Sequence, residues 1–140
     1  MANKTLTVGE ACLCFHMQRA ARALARVFDD VFRPLDLTNG QFTLMMSLSK
    51  GEPKPMGRIA DVLAMDRTTL TAALKPLTRR GLVIVAVDPD DKRSRLMSLT
   101  PAGRALLAEA LPIWRRTHAA VERRLASDPN RLRADLKILS

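Results

Sequence analysis

Cysteine is nearly absent from the 140-residue chain: Cys12 and Cys14 are the only two. They are too few for a disulfide framework, and on one helix their side chains would diverge, so a reducing compartment is expected with both thiols as packing groups. Long apolar runs are also missing. None approaches the ~20 residues that span a bilayer, and the opening MANKTLTVGE lacks the apolar core of a signal peptide, which points to a cytoplasmic protein. Only 8 prolines and 6 glycines stand beside 47% hydrophobic residues, which excludes disorder and collagen-like repeats and leaves one domain over residues 1–140. The groups that carry catalysis are scarce as well. His16 and His118 lie far apart, neither in a motif with Ser, Cys or a carboxylate, and no glycine-rich phosphate loop or zinc-ligand spacing occurs. Neither an enzyme nor a cofactor is expected.

The shortage of acids has the opposite value, because it names a partner. Lys and Arg number 23 against 14 Asp and Glu, a formal charge of +9 and a pI near 10.8. Such an excess suits a polyanion, with nucleic acid ahead of an acidic membrane surface. Membrane binding would need basic and large apolar residues segregated on one exposed element. The first helical segment has some of this, but its apolar stripe suits helix packing, so no membrane partner is expected.

Leu13, Met17, Ala20, Leu24, Phe28 and Val31 recur at three- and four-residue spacing and predict a long first helix from Ala11, stopped by Pro34. Thr38 and Gln41 have the form of a capping box opening a second helix that ends at Gly51, and GEPKP reads as a loop. In MGRIADVLAMDRTTLTAALKPLTRRG two apolar faces, Met56 to Leu63 and Leu70 to Leu77, predict two helices joined by a tight turn. Asp66 caps the second and Gly81 ends it. Pro76 should bend or loosen that helix. LVIVAV and RLMSL predict a β-hairpin around a charged loop. Thr100 and Pro101 open a helix to about Leu125, kinked at Pro112, and Asp128 with Pro129 opens a final one carrying Leu132, Leu136 and Leu139 on one face.

Helix, turn, capped helix and hairpin in this order describe a winged helix-turn-helix lobe within a mainly α fold that carries one small β-hairpin. The second helix of the pair offers Arg67, Thr68, Thr69, Thr71 and Lys75 to a major groove. The loop DPDDKRS places three acids beside Lys92, Arg93 and, just beyond, Arg95, so that the most charge-dense stretch of a basic chain nets nothing. If the acids orient the bases by hydrogen bonds, one or two bases suffice to enter an adjacent minor groove. A solvated turn without a partner is the alternative.

DPDDKRSRLMSLTPAGRALL and MDRTTLTAALKPLTRRGLV resemble, respectively, the wing signature and the recognition helix of the MarR family of bacterial winged-helix regulators, and the likeness extends over nearly the whole chain. It implies a transcriptional regulator, a repressor, that binds double-stranded DNA and is nucleoid-associated when bound. It implies that Arg93 enters the minor groove, that Asp91 steadies the wing, and that Thr68, Thr69, Thr71 and Lys75 face the major groove. It also implies a homodimer whose first, fifth and last helices entwine. The residues support a dimer independently, since the lobe of residues 53–100 needs little else to close its core, while residues 11–34 and 101–140 carry apolar faces that must be buried on something. A two-fold dimer sets two recognition helices ~34 Å apart and predicts a near-palindromic operator.

Two release mechanisms follow from the resemblance. One is a small aromatic or phenolic acid bound between the helical and DNA-binding regions, for which Phe15, His16, Arg19, Met45 and Trp114 are the candidate pocket residues. The other is peroxide sensing by Cys14, since LCF resembles the stretch around the reactive cysteine of the organic hydroperoxide resistance branch. There, tyrosines hold the thiolate; this chain has no tyrosine, with Gln18 and Phe28 where they would stand, and a thiol without a donor or cation keeps an ordinary pKa. A protein-interaction module without sequence preference is the third class, binding DNA only as its charge dictates.

Overall fold

A computed structural model describes residues 4–140. Helix α1 (Lys4–Ala11) leads into α2 (Leu13–Phe32), a single 3-10 turn (Arg33–Leu35), α3 (Asn39–Ser47), strand β1 (Lys54–Pro55), α4 (Met56–Val62), α5 (Arg67–Arg79), β2 (Val83–Val87), β3 (Arg95–Leu99), α6 (Pro101–Glu122) and α7 (Pro129–Ile138). The fold is mainly helical with one small antiparallel sheet, as expected.

The helix starts are written in short polar side chains. Thr38 Oγ1 accepts from the Gln41 amide at 3.1 Å, and the Gln41 carboxamide returns a bond to the Thr38 N–H at 3.1 Å, completing the capping box. Asp66, Thr100 and Asp128 cap α5, α6 and α7. Gly81 takes φ +70 after α5, which only glycine adopts without strain. Helix α5 runs through Pro76 and α6 through Pro112, and α6 ends at Glu122, a little short of the expected Leu125.

Two expectations need correction. The first helix is not continuous from Ala11. Cys12 turns to ψ 110 and starts α2 anew, its Sγ accepting from the Phe15 N–H at 3.4 Å. His16 Nε2–H then donates to the Glu10 carbonyl at 2.8 Å, supplying a partner at the break. The GEPKP segment is not wholly loop, because Lys54 and Pro55 pair with Met97 and Leu96. The final helix leaves Leu132, Leu136, Ile138 and Leu139 exposed on the single chain, and among the described residues the ion pair that ties it to the rest of the chain is Arg133–Glu122. The hydrogen bond from Arg133 holds the Glu122 carboxyl below its ordinary range.

The sheet has order β1-β3-β2, with Val83 opposite Leu99 and Val85 opposite Met97. Met97 and Leu99 point into the core, whereas β2 buries only Val83 and exposes Ile84, Val85 and Val87 along an open edge. The core is one cluster. At its helical end an aromatic ladder runs Phe28, Phe32, Phe42, Trp114, with Phe32 and Phe42 4.7 Å apart and Trp114 stacked on His118 at 4.5 Å. At its other end Leu70, Leu74 and Leu77 of α5 pack with Ile59, Leu82 and Met97. Each such buried leucine contributes ~1.5–3 kcal/mol, so the inner face of α5 fixes which side chains are left outside. Helix α6 closes on the base of the hairpin at Gly103, where a Cβ would stand 2.1 Å from the Leu82 carbonyl oxygen.

Candidate nucleic-acid interface

With its leucines inward, α5 presents Arg67, Thr68, Thr69, Thr71 and Lys75 on exposed positions. Three of these are not free. Asp66 accepts both the Thr69 N–H at 2.7 Å and the Thr69 hydroxyl at 2.9 Å, so Thr69 is half of the cap and offers a partner only its remaining lone pairs and methyl group. The Thr71 hydroxyl donates back to the Arg67 carbonyl at 2.8 Å. The Arg67 guanidinium lies over Gly57, its Nη2 2.9 Å from where a Cβ would be. Thr68 and Lys75 have no such engagement among the described bonds. Gly57 was not legible as a functional position, because its importance lies in a side chain ten residues on.

The Asp66 carboxyl is held below its ordinary pKa of 3.8, first by the Thr69 amide and then by its hydroxyl. A depressed carboxyl stabilises the fold above that ordinary value and loses the contribution as pH falls through the lower, folded one. Asp66→Ala should therefore lower the melting temperature by a few degrees near neutral pH. The gap between variant and parent should narrow as the pH falls below that ordinary value. Parallel melts across that range decide it, and a gap unchanged with pH would mean that the cap carries no charge.

The wing, residues 88–94, also differs from a set of ion pairs. Asp88 accepts from the Asp90 N–H at 2.9 Å, Asp91 accepts from the Arg93 N–H at 3.0 Å, and the Asp91 carbonyl accepts from the Ser94 N–H at 2.9 Å. Asp88 N–H closes the loop on the Ser94 carbonyl at 3.1 Å. The acids thus grip backbone amides, as short acidic side chains do in turns. No wing base forms an ion pair among the described residues. Arg95 reaches back to the carbonyls of Lys92 and Ser94, so Lys92 and Arg93 are the cations left to project. A cleft of about 290 Å³ joins wing to helix, lined by Gly57, Arg67, Asp91, Arg93 and Arg95.

The candidate effector residues do not meet in one cavity of the chain. Met45 is fully buried in the core, Trp114 belongs to the aromatic ladder, and His16 is occupied at the Cys12 break. Phe15 and Arg19 do come together, in a shallow groove of about 240 Å³ with Gln18, Arg22 and Arg26. Cys14 is exposed, and the Gln18 amide donates to its Sγ at 3.3 Å. No described helix is long and apolar enough to cross a membrane.

Comparison with known proteins agrees with this geometry. A family model described as the MarR family matches residues 37–94. The organic hydroperoxide resistance transcriptional regulator of Bacillus subtilis is 29% identical over 101 residues, 72% of this chain and 69% of that protein. Two further curated transcriptional regulators are matched over slightly under two thirds of their length. Among solved structures, the M. tuberculosis transcriptional regulator MosR in complex with DNA is 38% identical with a TM-score of 0.83, covering 91% of this chain and 92% of that one. The transcriptional repressor CouR bound to a 23-mer DNA duplex is 28% identical with a TM-score of 0.77, covering 94% and 92%. These relatives are regulators and not enzymes.

Proposed function

The chain belongs to the MarR family of DNA-binding transcriptional regulators, and on that premise we propose that it is a repressor which binds a near-palindromic operator as a homodimer and is released by a small aromatic or phenolic acid. Residues 53–100 form the DNA-reading part, with Thr68 and Lys75 of α5 at the major groove, Arg67 over Gly57 beside them, Thr69 and Thr71 contributing mainly methyl groups, and Lys92 and Arg93 at the minor groove. Residues 11–34 and 101–140 form the dimerisation region. The observation that carries this reading is α7: an amphipathic helix leaves Leu132, Leu136, Ile138 and Leu139 uncovered by its own chain, and Leu13 and Phe15 at the start of α2 are likewise exposed. Apolar surface of that extent favours burial against a second copy. For the acid, the groove holding Phe15 under Arg19, Arg22 and Arg26 offers a ring contact and cations for a carboxylate. CouR is itself a repressor, which supports the sign of regulation.

The test is a pair of measurements on the free protein and its own upstream DNA. Sedimentation at micromolar concentration should give a dimer and not the 15.5 kDa monomer. Footprinting should protect two inverted half-sites whose centres lie about one helical turn apart. A monomer, or a protected site without symmetry, would remove the reading.

One observation favours a second release mechanism. Cys14 is exposed and accepts a hydrogen bond from Gln18, and the Bacillus relative is named for organic hydroperoxide resistance. In this reading a hydroperoxide oxidises the thiolate to the sulfenic acid and leaves as the alcohol. Titrating the protein against its operator with an organic hydroperoxide or with salicylate separates the two: release that disappears in Cys14→Ser belongs to the thiol, and release by salicylate alone belongs to the acid.

A further inference from the structure

The recognition helix must be held at a fixed attitude to whatever joins two copies, because that attitude sets the separation of the two reading heads. Beside the shared apolar core, one side chain ties these parts together by hydrogen bonds. Arg80 ends α5 just before Gly81 and reaches back across the molecule to the segment that follows α2. Its Nη1–H donates to the Asp36 carbonyl at 2.5 Å and its Nη2–H to the Leu35 carbonyl at 3.4 Å. These acceptors belong to a sharp joint. The 3-10 turn Arg33–Leu35 ends at Asp36 in the left-handed region, φ 52 and ψ 44, and the Asp29 carboxylate takes the Asn39 N–H at 2.7 Å, fastening the start of α3 to α2. A cleft of about 400 Å³, lined by Asp29, Arg33, Leu37, Gln41, Pro76 and Arg80, leaves the space beside the joint unfilled.

We propose that Arg80 is a positioning residue which, by forking onto the Leu35 and Asp36 carbonyls, sets the attitude of the recognition helix to α2 and hence the half-site separation that the dimer accepts. A planar guanidinium can serve two neighbouring carbonyls at once; an ammonium is a point donor and cannot hold the same angle. The competing role for an arginine at this end of α5 is a contact with a DNA phosphate. The two roles leave different signatures, since a phosphate contact carries no information about spacing and contributes about one counterion to the salt dependence of binding.

The experiment titrates parent, Arg80→Met and Arg80→Lys against three operators whose half-sites stand at the natural separation, one base pair closer and one base pair farther, at several salt concentrations. Melting curves accompany each variant. Both variants should lose about tenfold in affinity for the natural spacing, the scale of one charge-assisted hydrogen bond. They should lose less at the altered spacings, so that the preference for the natural one shrinks while the salt slope is unchanged. A loss equal at all three spacings overturns the proposal, whether it comes with a salt slope reduced by about one and rescue by lysine, as a phosphate contact would give, or with a lowered melting temperature alone. Unaltered affinity and preference overturn it too. The proposal rests on the dimer reading of the preceding section. Failure of that reading is seen in the parent, which would then show no spacing preference and would take the proposal with it; failure of the proposal alone leaves the parent's preference intact and the variants sharing it.

Discussion

Gly103→Ala is expected to destabilise the protein by about 3 kcal/mol, at the upper end of what overpacking a core produces. In α6 this residue lies one turn from the helix start and faces the base of the wing. A Cβ there would stand 2.1 Å from the Leu82 carbonyl oxygen, 3.1 Å from its carbon and 3.3 Å from Leu99 Cδ2. The nearest obstacle is backbone that has little freedom to move. The Leu82 carbonyl accepts the Thr100 N–H at 3.0 Å, and the Thr100 hydroxyl donates to the Gly81 carbonyl at 2.6 Å while accepting from Gly103 N–H at 3.0 Å. To admit one methyl group, α6 must lift off the hairpin and strain these bonds together. For a chain of this size the loss corresponds to roughly 10 °C in melting temperature. Gly40→Ala is the internal control. It lies within α3 with nothing closer to its Cβ than Thr38 Oγ1 at 4.0 Å, and alanine's helix propensity should leave the protein unchanged or slightly more stable. A Gly103 variant that melts with the parent would mean that helix and wing are not in contact.

The second large effect concerns sign. Arg93→Ala should weaken operator binding by tenfold or more and reduce its dependence on A·T content beside the half-sites, because a narrow groove's potential acts on that cation. Asp91→Ala should weaken binding as well, although it removes a negative charge from the loop proposed to lie against DNA. Simple attraction predicts a gain there. The structure supplies the reason for a loss: the Asp91 side chain holds the Arg93 N–H at 3.0 Å, and without it the residue bearing the finger loses its anchor. Titration of both variants at one salt concentration decides the matter, and tighter binding by the Asp91 variant would reduce the loop to a charged turn.

What could be read from the sequence was local chemistry. Thr38, Asp66, Thr100 and Asp128 cap helices within three residues of themselves, so their hydrogen bonds are encoded by neighbours in the chain. The hairpin and Gly81 are local in the same sense. The rest depends on partners far along the chain. Nothing in Lys54-Pro55 marks a strand, because its pairing is created by the proximity of β3. Periodicity could not locate the break at Cys12, since the apolar stripe begins only at Leu13, and Cys12 N–H still bonds to the Val8 carbonyl at 2.8 Å as in an unbroken helix. On α5, residue types picked out the exposed face but not how its hydroxyls are used. Thr69 and Thr71 look equivalent to Thr68 until their internal acceptors are seen. Arg80 carried no sequence signal, and its acceptors are main-chain atoms that any residue would supply.

The open edge of β2 has a consequence for the protein in a tube. Ile84, Val85 and Val87 present apolar side chains along a strand whose outer N–H and C=O groups have no sheet partner among the described residues. Such an edge is a template for another like it. What stands against self-association is repulsion between molecules that each carry a formal charge of +9, since the adjoining loop, with its acids matching its bases, adds no net charge of its own. That protection acts through solvent and shortens with the Debye length, from about 10 Å at 0.1 M salt to about 3 Å at 1 M. The same concentrated salt that strips nucleic acid from a basic protein during purification therefore also removes its shield against aggregation, and the colloidal optimum lies at intermediate ionic strength.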